Sequence, residues 1–452
     1  MWRTFIASFT LSLMGANVLA NPVSLSTAWT AARLHDPSFQ AAISEREAGQ
    51  TERALGLAPL LPQVSGSLGR TRMRGDLDTP DARGDVIRQD LHYTSKVNEV
   101  NLQQTVFDWD RFTGYRQGQA KADKALAAFD VHANDTSERL INRYFQVLLA
   151  QQQVIISKNN LDATEQHVDI ARHYLDRGEG TITEVHEAQA RHDIANARWL
   201  RSKDDLVIAR RELQEMIGTD PEMIYGLRPE IAQASLSPES LDGWMQLALE
   251  RNAQINEASQ DLRVNALEIQ RVFSGHLPTV ALTGSLRKTE GESISTRSQE
   301  SSTRSLGVSV QVPIFAGGAT QAGVRQAQHN RDRSQYELEA MREEIAVEVT
   351  RQYQAVISGV EQIIALQKAV ESNQLAVTAA ESGYQGGVRS IIDILNVQER
   401  LYQAQLELVQ ARLEYVMARL MLAAVADGLN GALIDETSLL FFDDEPIAVG
   451  GV

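Results

Sequence analysis

The segment SLGVSVQVPIFAGGATQAGVRQAQ, residues 305–328, combines the two patterns on which the fold depends. Its first half alternates apolar residues, from Leu306 to Ile314, with small or polar ones. A period of two is typical of a strand with one apolar face. Gly317 and Gly318 then interrupt the strand, and a stretch without proline follows. The sequence therefore predicts a strand that turns directly into a long helix.

Two long stretches of the chain contain no proline. They cover residues 81–220 and 314–445, which are 140 and 132 residues, and such stretches can host very long helices. Within each, apolar residues recur every seven positions, which is typical of a left-handed coiled coil. At 1.5 Å per residue, the predicted helices 111–175 and 319–385 would each be roughly 100 Å long. The two series are Leu140, Val147, Val154, Leu161, Val168, Leu175 and Val349, Val356, Ile363, Val370, Val377, Tyr384.

Polar residues between the members of the first series indicate a particular kind of helix packing. They are Gln151, Lys158, Glu165 and Arg172, at positions that a tight two-stranded coiled coil would fill with apolar side chains. We therefore expect a shallow seam in a wide sheet or cylinder of helices.

The two series are related by a constant offset of 209 residues. The same offset carries Arg116 to Arg325 and Gly178 to Gly387, and the earlier pair Leu61-Pro62 recurs at an offset of 216. A duplicated unit of about 200 residues predicts two copies of one fold element. We expect a signal peptide at 1–20, a first repeat at 21–226 with a return helix 182–217, a second repeat at 227–426 with a return helix 390–426, and a C-terminal segment at 427–452.

Four strands are predicted, about 63–73, 93–107, 278–288 and 304–315, with polar loops at Arg74–His92 and Thr289–Thr303. Four strands cannot close a barrel. Two chains would give eight strands, whose interior is filled by side chains, and three chains would give twelve, with room for a lumen. A soluble four-stranded sheet is the alternative. The aromatic residues where strand meets helix fit an interfacial belt or a core: Phe107, Trp109, Phe112 and Phe315.

Composition excludes several classes of function. The formal net charge is −16 over 452 residues, the reverse of a nucleic-acid-binding surface. The absence of cysteine rules out disulfides, thiolate ligands and a lipidated N-terminal cysteine. The spacings within the group His167, His173, His186 and His192 do not place two ligands on one helix face. No catalytic residue, metal site or cofactor is predicted.

Residues 1–20 have a positive start, an apolar middle and small residues before Asn21, which is typical of a secretory signal peptide. A buried N-terminal helix is the alternative. No later window approaches the roughly 20 apolar residues of a membrane helix. We expect the mature chain to leave the cytoplasm, and any membrane span to consist of strands.

Segments across the mature chain resemble the TolC-like outer-membrane efflux protein family. The resemblance rests on residues 103–120, 310–328, 175–191 and 382–420. It implies a mainly α fold with β: a homotrimer with a twelve-stranded outer-membrane β-barrel, a long α-helical coiled-coil barrel in the periplasm, and a mixed belt formed by 218–240 and the tail from Asp427. Such proteins are exit channels for efflux of toxic compounds or type I protein secretion, without enzymatic activity. Their partners are a periplasmic adaptor, an inner-membrane transporter and outer-membrane lipid.

The sharpest site hypothesis concerns the turns between long and return helices. Gly178 and Gly387 suit tight turns. The resemblance implies a periplasmic gate in which Tyr384 and Arg389 donate to Thr183 and Glu184, while Asp393 rings the narrowest opening. Asn396 departs from relatives with a second acidic residue there, which predicts weaker cation selection. The alternative is that these are ordinary solvated residues.

Two functions from different classes remain at this point. The first is an outer-membrane exit channel, opened at its periplasmic tip by its partners. The second is a secreted structural coiled-coil protein without a pore. The sequence leaves the cargo open among drugs, metal ions and proteins.

Overall fold

The structure is a computed structural model that describes residues 22–228, 236–293 and 296–450. The predicted signal peptide lies outside these residues. The helices are α1 (Leu25–His35), α2 (Pro37–Gln50), α3 (Glu52–Leu57), α4 (Trp109–Asp176), α5 (Ile182–Ile217), α6 (Leu241–Arg251), α7 (Ala253–Phe273), α8 (Ala319–Gln385), α9 (Ile391–Asp427) and α10 (Gly431–Phe441). The strands are β1 (Gln63–Pro80), β2 (Val86–Phe107), β3 (Met223–Leu227), β4 (Thr279–Ser293), β5 (Thr296–Gln311) and β6 (Phe442–Ala448).

Two strands, a very long helix and a shorter return helix occur twice in the same order. The long helices α4 and α8 have 68 and 67 residues, and the return helices α5 and α9 have 36 and 37. In the described ranges, none of these helices combines the length and apolar character needed to cross a membrane.

The chain divides into two compact units. The first comprises the described parts of Met1–Ala41, Ala133–Glu250 and Ala346–Val452, and the second comprises Ala42–His132 and Arg251–Ile345. Each unit draws on both predicted repeats. The compact units therefore follow a different division of the chain from the repeats at 21–226 and 227–426.

The first unit has a buried seam at a spacing of seven residues. Every member of the two predicted series is buried except Leu175 and Val370, which are half-buried. A seven-residue repeat keeps one line of side chains on the same side of a helix. The burial of both series confirms that this line is the packing face.

A second buried layer follows three residues after the first and has mostly small side chains. The hydroxyls of Ser157 and Ser202 lie 2.8 Å apart and join α4 to α5. Small residues at alternate layers let neighbouring helices approach closely. The seam is therefore a layered coiled-coil packing. Of the four polar residues that predicted a shallow seam, Lys158, Glu165 and Arg172 are exposed, whereas Gln151 is buried. These layers are Ala150, Ser157, Thr164 and Ala171 in α4, Ala188, Ala195, Ser202 and Ala209 in α5, and Val397, Ala404, Ala411 and Ala418 in α9.

The β3 strand pairs antiparallel with β6 in a two-stranded sheet of the first unit. Val23 adds a parallel bridge to Ile224, and Gln151 donates a 2.9 Å hydrogen bond to the carbonyl of Ala448. The structure thus brings together the two segments expected to form a mixed belt, although residues 229–235 lie outside the described ranges.

The second unit contains a four-stranded antiparallel sheet in the order β1-β2-β4-β5. The predicted loops at Arg74–His92 and Thr289–Thr303 are wrong, because strands occupy most of both ranges, and residues 81–85 alone join β1 to β2. In these polar segments the backbone N–H and C=O groups pair across the antiparallel strands, and some charged side chains form ion pairs. Arg88, for example, donates to both carboxylate oxygens of Asp78 at 2.9 and 3.1 Å.

The two faces of this sheet differ sharply in polarity. Leu68 is 86% exposed and Leu306 is 77% exposed in the single chain, so one face offers a large unprotected apolar area. By the cross-strand register, this face also carries Val64, Val100, Leu102, Val280, Leu282, Leu286, Val308 and Val310. The opposite face carries Ser65, Ser67, Asn101, Gln103, Thr283, Ser285, Ser305 and Ser309.

The aromatic residues at the strand–helix boundaries are not core residues of the single chain. Phe107, Phe112 and Phe315 are 44%, 43% and 87% exposed. Trp109 packs on Phe112 with ring centroids 5.3 Å apart. Their exposure favours the interfacial belt over the core.

Candidate functional site: the turns between long and return helices

The two turns share one hydrogen-bond pattern. In the first, the amide of Gly178 donates to the carbonyl of Leu175, and the amides of residues 179 and 180 both donate to Tyr174. In the second, Gly387 donates to Tyr384, and residues 388 and 389 both donate to the carbonyl of Gly383. Each bond of the second turn lies 209 residues after its counterpart.

Backbone conformation explains the glycine in each turn. Gly178 has φ +74° and Gly387 has φ +70°. No atom lies within 4 Å of a Cβ added at either residue, so the left-handed backbone and not the available space requires glycine.

Each return helix begins with a capping box. In α5, the Glu184 amide donates to the Thr181 hydroxyl at 3.3 Å, and the Thr181 amide donates to the Glu184 carboxylate at 2.9 Å. In α9, Ser390 and Asp393 repeat the arrangement at 3.3 and 3.0 Å. Both acidic residues of the predicted gate thus satisfy the free amides of a helix N-terminus.

The cap also sets the charge state of Asp393. Hydrogen bonds from the backbone amide and then the hydroxyl of Ser390 lower the pKa of the Asp393 carboxyl. The carboxylate is therefore ionised across the neutral range.

Arg389 is placed by a close contact with Gly383. A Cβ on Gly383 would lie 2.7 Å from Cγ of Arg389, so the aliphatic part of the arginine occupies the space that a side chain would fill. In the first turn the glycine and the side chain are exchanged. Gly180 corresponds to Arg389 and Tyr174 corresponds to Gly383, and a Cβ on Gly180 would lie 3.2 Å from the Cβ of Tyr174. One glycine per turn permits the contact, and only the second turn places an arginine at it.

The guanidinium of Arg389 is exposed at the turn. In the described part of the chain it makes no hydrogen bond or ion pair, and Thr183 is likewise exposed without one. A single chain therefore does not bring Arg389 together with Thr183 or Glu184.

Tyr384 is buried against Tyr174, with ring centroids 4.8 Å apart. Burial raises the pKa of the Tyr384 hydroxyl, and the nearby Glu184 carboxylate raises it further. Across the described residues this hydroxyl has no hydrogen-bond partner. Tyr384 is placed near Glu184 without bonding to it.

Asn396 accepts a long hydrogen bond of 3.4 Å from Arg191, which also pairs with Glu187 at 3.4 Å. Asn396 thus links α9 to α5 at the start of the return helices. From the sequence, Asn396 is expected to affect only cation selection.

Sequence reasoning missed the strongest polar link between the return helices. Arg198 of α5 donates to both carboxylate oxygens of Glu399 in α9 at 2.9 and 2.8 Å. Burial is the largest single influence on the Glu399 carboxyl and would raise its pKa. The hydrogen bonds from Arg198 and Gln403, together with the positive charges of Arg198 and Arg191, outweigh burial and lower the pKa. The offset of 209 relates equivalent residues of the two copies, but it does not predict contacts between them.

The histidines of the first turn do not assemble a metal site. In the described ranges, no three His, Asp or Glu side chains form a group that could hold a metal ion. His167 is buried with neither ring nitrogen hydrogen-bonded, and burial lowers its pKa. It is a neutral side chain of the helix packing.

Comparison with known families identifies the class of this chain. The family profile described as "Outer membrane efflux protein" matches residues 29–219 and 244–428, one segment in each half. The chain belongs to this family. The two matched segments each include a long helix, a return helix and the turn between them.

Similar proteins agree with the family. The alkaline protease secretion protein AprF of Pseudomonas aeruginosa is 33% identical over 375 residues, which cover 82% of this chain and 78% of AprF. The proteases secretion protein PrtF of Dickeya chrysanthemi is 29% identical over 433 residues, covering 95% and 93%. The crystal structure of the outer membrane protein VceC from Vibrio cholerae has the same fold, with a TM-score of 0.75 at 17% identity, covering 89% of this chain and 96% of VceC.

The outer membrane efflux protein described here is thus a channel of the efflux and secretion class. It is located in the outer membrane of a Gram-negative bacterium, with its helical part in the periplasm. Family membership disfavours the secreted structural protein without a pore.

Removal of either N-cap side chain should loosen the first turn of the return helix that it caps. Thr181→Ala and Ser390→Ala each leave first-turn amides without an acceptor, at a cost of about 1 kcal/mol. We expect faster hydrogen exchange at residues 182–184 in the first variant and 391–393 in the second. Ser382→Ala is the control, since its hydroxyl donates to a carbonyl within α8.

The second cap should also weaken in acid. Because the folded-state pKa of Asp393 is depressed, its stabilisation is fully present above the ordinary Asp value of about 3.9 and is lost as pH falls through the lower folded-state value. Unchanged exchange in both cap variants would contradict the assignment of these caps.

Proposed function

We propose that three copies of the chain close a twelve-stranded barrel through the outer membrane. In the described residues, β1 and β5 form the two edges of the sheet and are 18 and 16 residues long. An unpaired strand edge in lipid leaves many backbone groups without partners. Pairing of β5 with β1 of the next copy continues the antiparallel alternation and removes every edge.

The number three follows from the size of the interior. Eight strands from two copies enclose a space that side chains fill, whereas twelve strands leave room for a lumen. The polar face of the sheet, with Ser65, Asn101 and Ser305, suits a water-filled interior. The apolar face suits lipid contact.

Exposed apolar residues on the long helices also support assembly. Ile357 and Ile364 of α8 are seven residues apart and 51% and 41% exposed, and Val207 and Ile208 of α5 are 60% and 57% exposed. Helices of adjacent copies would cover these residues in a cylinder. The duplicated turn geometry supports an internal duplication as the origin of the two halves.

The cargo that the comparisons favour is a secreted protein. AprF and PrtF are named for protease secretion, and alignment with PrtF covers nearly the whole chain. We propose that the channel serves type I secretion of a protease, with a periplasmic adaptor and an inner-membrane transporter as partners. The channel itself does no chemistry, and the pump supplies the energy.

A deletion strain tests this cargo. Loss of the gene should abolish extracellular protease activity, and a plasmid copy should restore it. Growth on a panel of small toxic compounds is measured in the same strains. Normal protease secretion with raised toxin sensitivity would replace the secretion proposal with small-molecule efflux.

The tip turns are proposed to form the periplasmic gate. Arg389 is exposed, cationic and without a partner in its own described chain, so an acceptor on the adjacent copy can bind it. Glu184 and Thr183 lie on the adjoining turn, and Arg–carboxylate bonds are directional and charge-assisted. Three Asp393 carboxylates near the threefold axis would attract cations.

Arg389→Ser should raise single-channel conductance in planar bilayers severalfold, because it removes links that hold the tip closed. Gly383→Val should do the same, since its side chain would displace the Arg389 stem. Glu184→Ala should also open the gate. Arg400→Ser, an exposed position on α9, is the charge-matched control. Wild-type conductance in all three test variants would refute the gate.

The barrel orientation has its own test. Val308→Arg places a charge on the apolar face and should cost about 2–4 kcal/mol in the bilayer. Ser309→Arg places the same charge on the polar face. We expect heat-modifiable trimers from outer membranes for Ser309→Arg and few or none for Val308→Arg. Equal recovery of the two variants would contradict the orientation.

A further inference from the structure

The apolar face of the four-stranded sheet ends at a line of cations. On three strands the next residue on the same face beyond the last apolar one is basic: Arg70 follows Leu68, Lys288 follows Leu286, and Arg304 precedes Leu306. On β2, Lys96 lies one place further, directly opposite Arg70. We call Arg70, Arg72, Arg74, Lys96, Lys288 and Arg304 the basic belt.

The belt follows the slant of the apolar band. Register pairs Arg70 with Lys96, whereas Lys288 lies opposite Asn98, and Arg304 lies opposite Leu286. Across the sheet the cations thus shift toward the strand ends that connect to helices. The limit of the apolar band shifts in the same direction, so the first cation on β1, β4 and β5 is the next residue on the same face beyond the last apolar residue of its strand. Arg72 and Arg74 extend the belt along β1 toward the hairpin turn.

The belt lies on the hairpin side of the apolar band. All four strands connect to helices at their other ends, and β1 and β2 continue past the belt to the turn at 81–85. With the helices in the periplasm, the hairpin side faces outward. The belt therefore lies at the level of the outer-leaflet headgroups, if the sheet spans the membrane as proposed above.

The three arginines of β1 and Arg304 are the members of the belt that are available to a ligand, and the three on β1 lie together on one strand. Lys288 is held by Glu290 at 2.9 Å and Glu300 at 2.6 Å, and Lys96 approaches Glu290 at 3.5 Å. Arg70, Arg72 and Arg74 are exposed on alternate positions of one strand. Among the described residues they form no ion pair.

A depression of about 830 Å³ lies over these arginines. Its lining includes Arg70, Arg72, Arg74, His92 and Lys96, with Glu290 as its acidic member. Four of its lining residues, Arg70, Arg72, Arg74 and Lys96, carry exposed cationic side chains, so several N–H donors surround one depression. Guanidinium groups bind phosphate through paired hydrogen bonds.

We propose that the basic belt binds the phosphorylated headgroup of an outer-leaflet lipid, and that the adjoining apolar band holds its acyl chains. Cations above an apolar band complement an amphiphile with an anionic head. The chain as a whole has a net charge of −16, so general attraction of anions does not account for this cluster. The inference goes beyond conduction and rests on the proposed orientation of the sheet.

The test uses the full-length protein purified in a neutral detergent. Native mass spectrometry compares three probes: diphosphorylated lipid A, the same lipid without phosphates, and inorganic phosphate. We expect the wild type to bind the diphosphorylated lipid about tenfold more tightly than the dephosphorylated one, with an affinity that falls as salt rises. Equal binding of the two lipids would overturn the proposal, and so would displacement of the lipid by inorganic phosphate at the same concentration.

Variants locate the site. The triple variant Arg70→Gln, Arg72→Gln, Arg74→Gln should lose most of the preference for phosphate. The matched control Arg287→Gln, Arg201→Gln, Arg400→Gln removes three exposed arginines, one of them on the polar face of the same sheet, and should keep it. An equal loss in the control would refute the location.

Two further measurements keep the result interpretable. If the glutamine variant is not recovered folded, Arg70→Lys, Arg72→Lys, Arg74→Lys should retain the phosphate preference in weaker form, and its complete loss with intact trimers would refute charge recognition. Trimer state and conductance are recorded on every preparation. If wild-type channels are intact but show no phosphate preference, lipid binding by the basic belt is refuted and the proposed barrel stands. The absence of trimers in the wild type would refute the proposed barrel.

Discussion

The pairing of backbone hydrogen bonds at the sheet edges is the constraint on which the molecule depends. One chain makes a four-stranded sheet whose outer strands, β1 and β5, each expose a ladder of N–H and C=O groups. Water could satisfy those groups, but hydrocarbon cannot. The proposed assembly of copies of the chain would pair both open edges and leave the apolar face to the lipid.

The helical part depends on close and regular packing between neighbouring helices. Large side chains such as Leu161 and Leu401 alternate along the seam with small ones such as Ser157 and Ala404. Small layers bring the helix backbones close, and Gly359 shows the same effect where the Tyr415 ring lies 3.1 Å from its Cβ position. The offset of 209 carries the small layers of α5 onto those of α9, and the same turn closes both helix pairs.

Much of this architecture could be predicted from sequence because it depends on local rules. Missing prolines and a seven-residue apolar repeat predict long packed helices, and period-two alternation from Leu306 to Val310 predicts a membrane strand. The strand ends could not be predicted in the same way. Polar sequences such as Arg74–His92 are typical of loops, and only the cross-strand register shows that they continue a hairpin.

The tip shows a second limit of sequence reasoning. The residue types at the turns indicated donors and acceptors, but Glu184 and Asp393 each close a capping box in their own chain. The signal was present, since Thr181 and Ser390 stand three residues before them. The contact of Arg389 with Gly383 is different, because it depends on the path of the turn and leaves no pattern in the sequence.

Electron cryo-microscopy of the detergent-purified full-length protein tests the central claim most directly, because it counts strands and copies in one image. We expect threefold symmetry, twelve strands without an open edge, and a continuous central lumen. A sheet with free edges, or a closed barrel with any other number of strands, would contradict that claim.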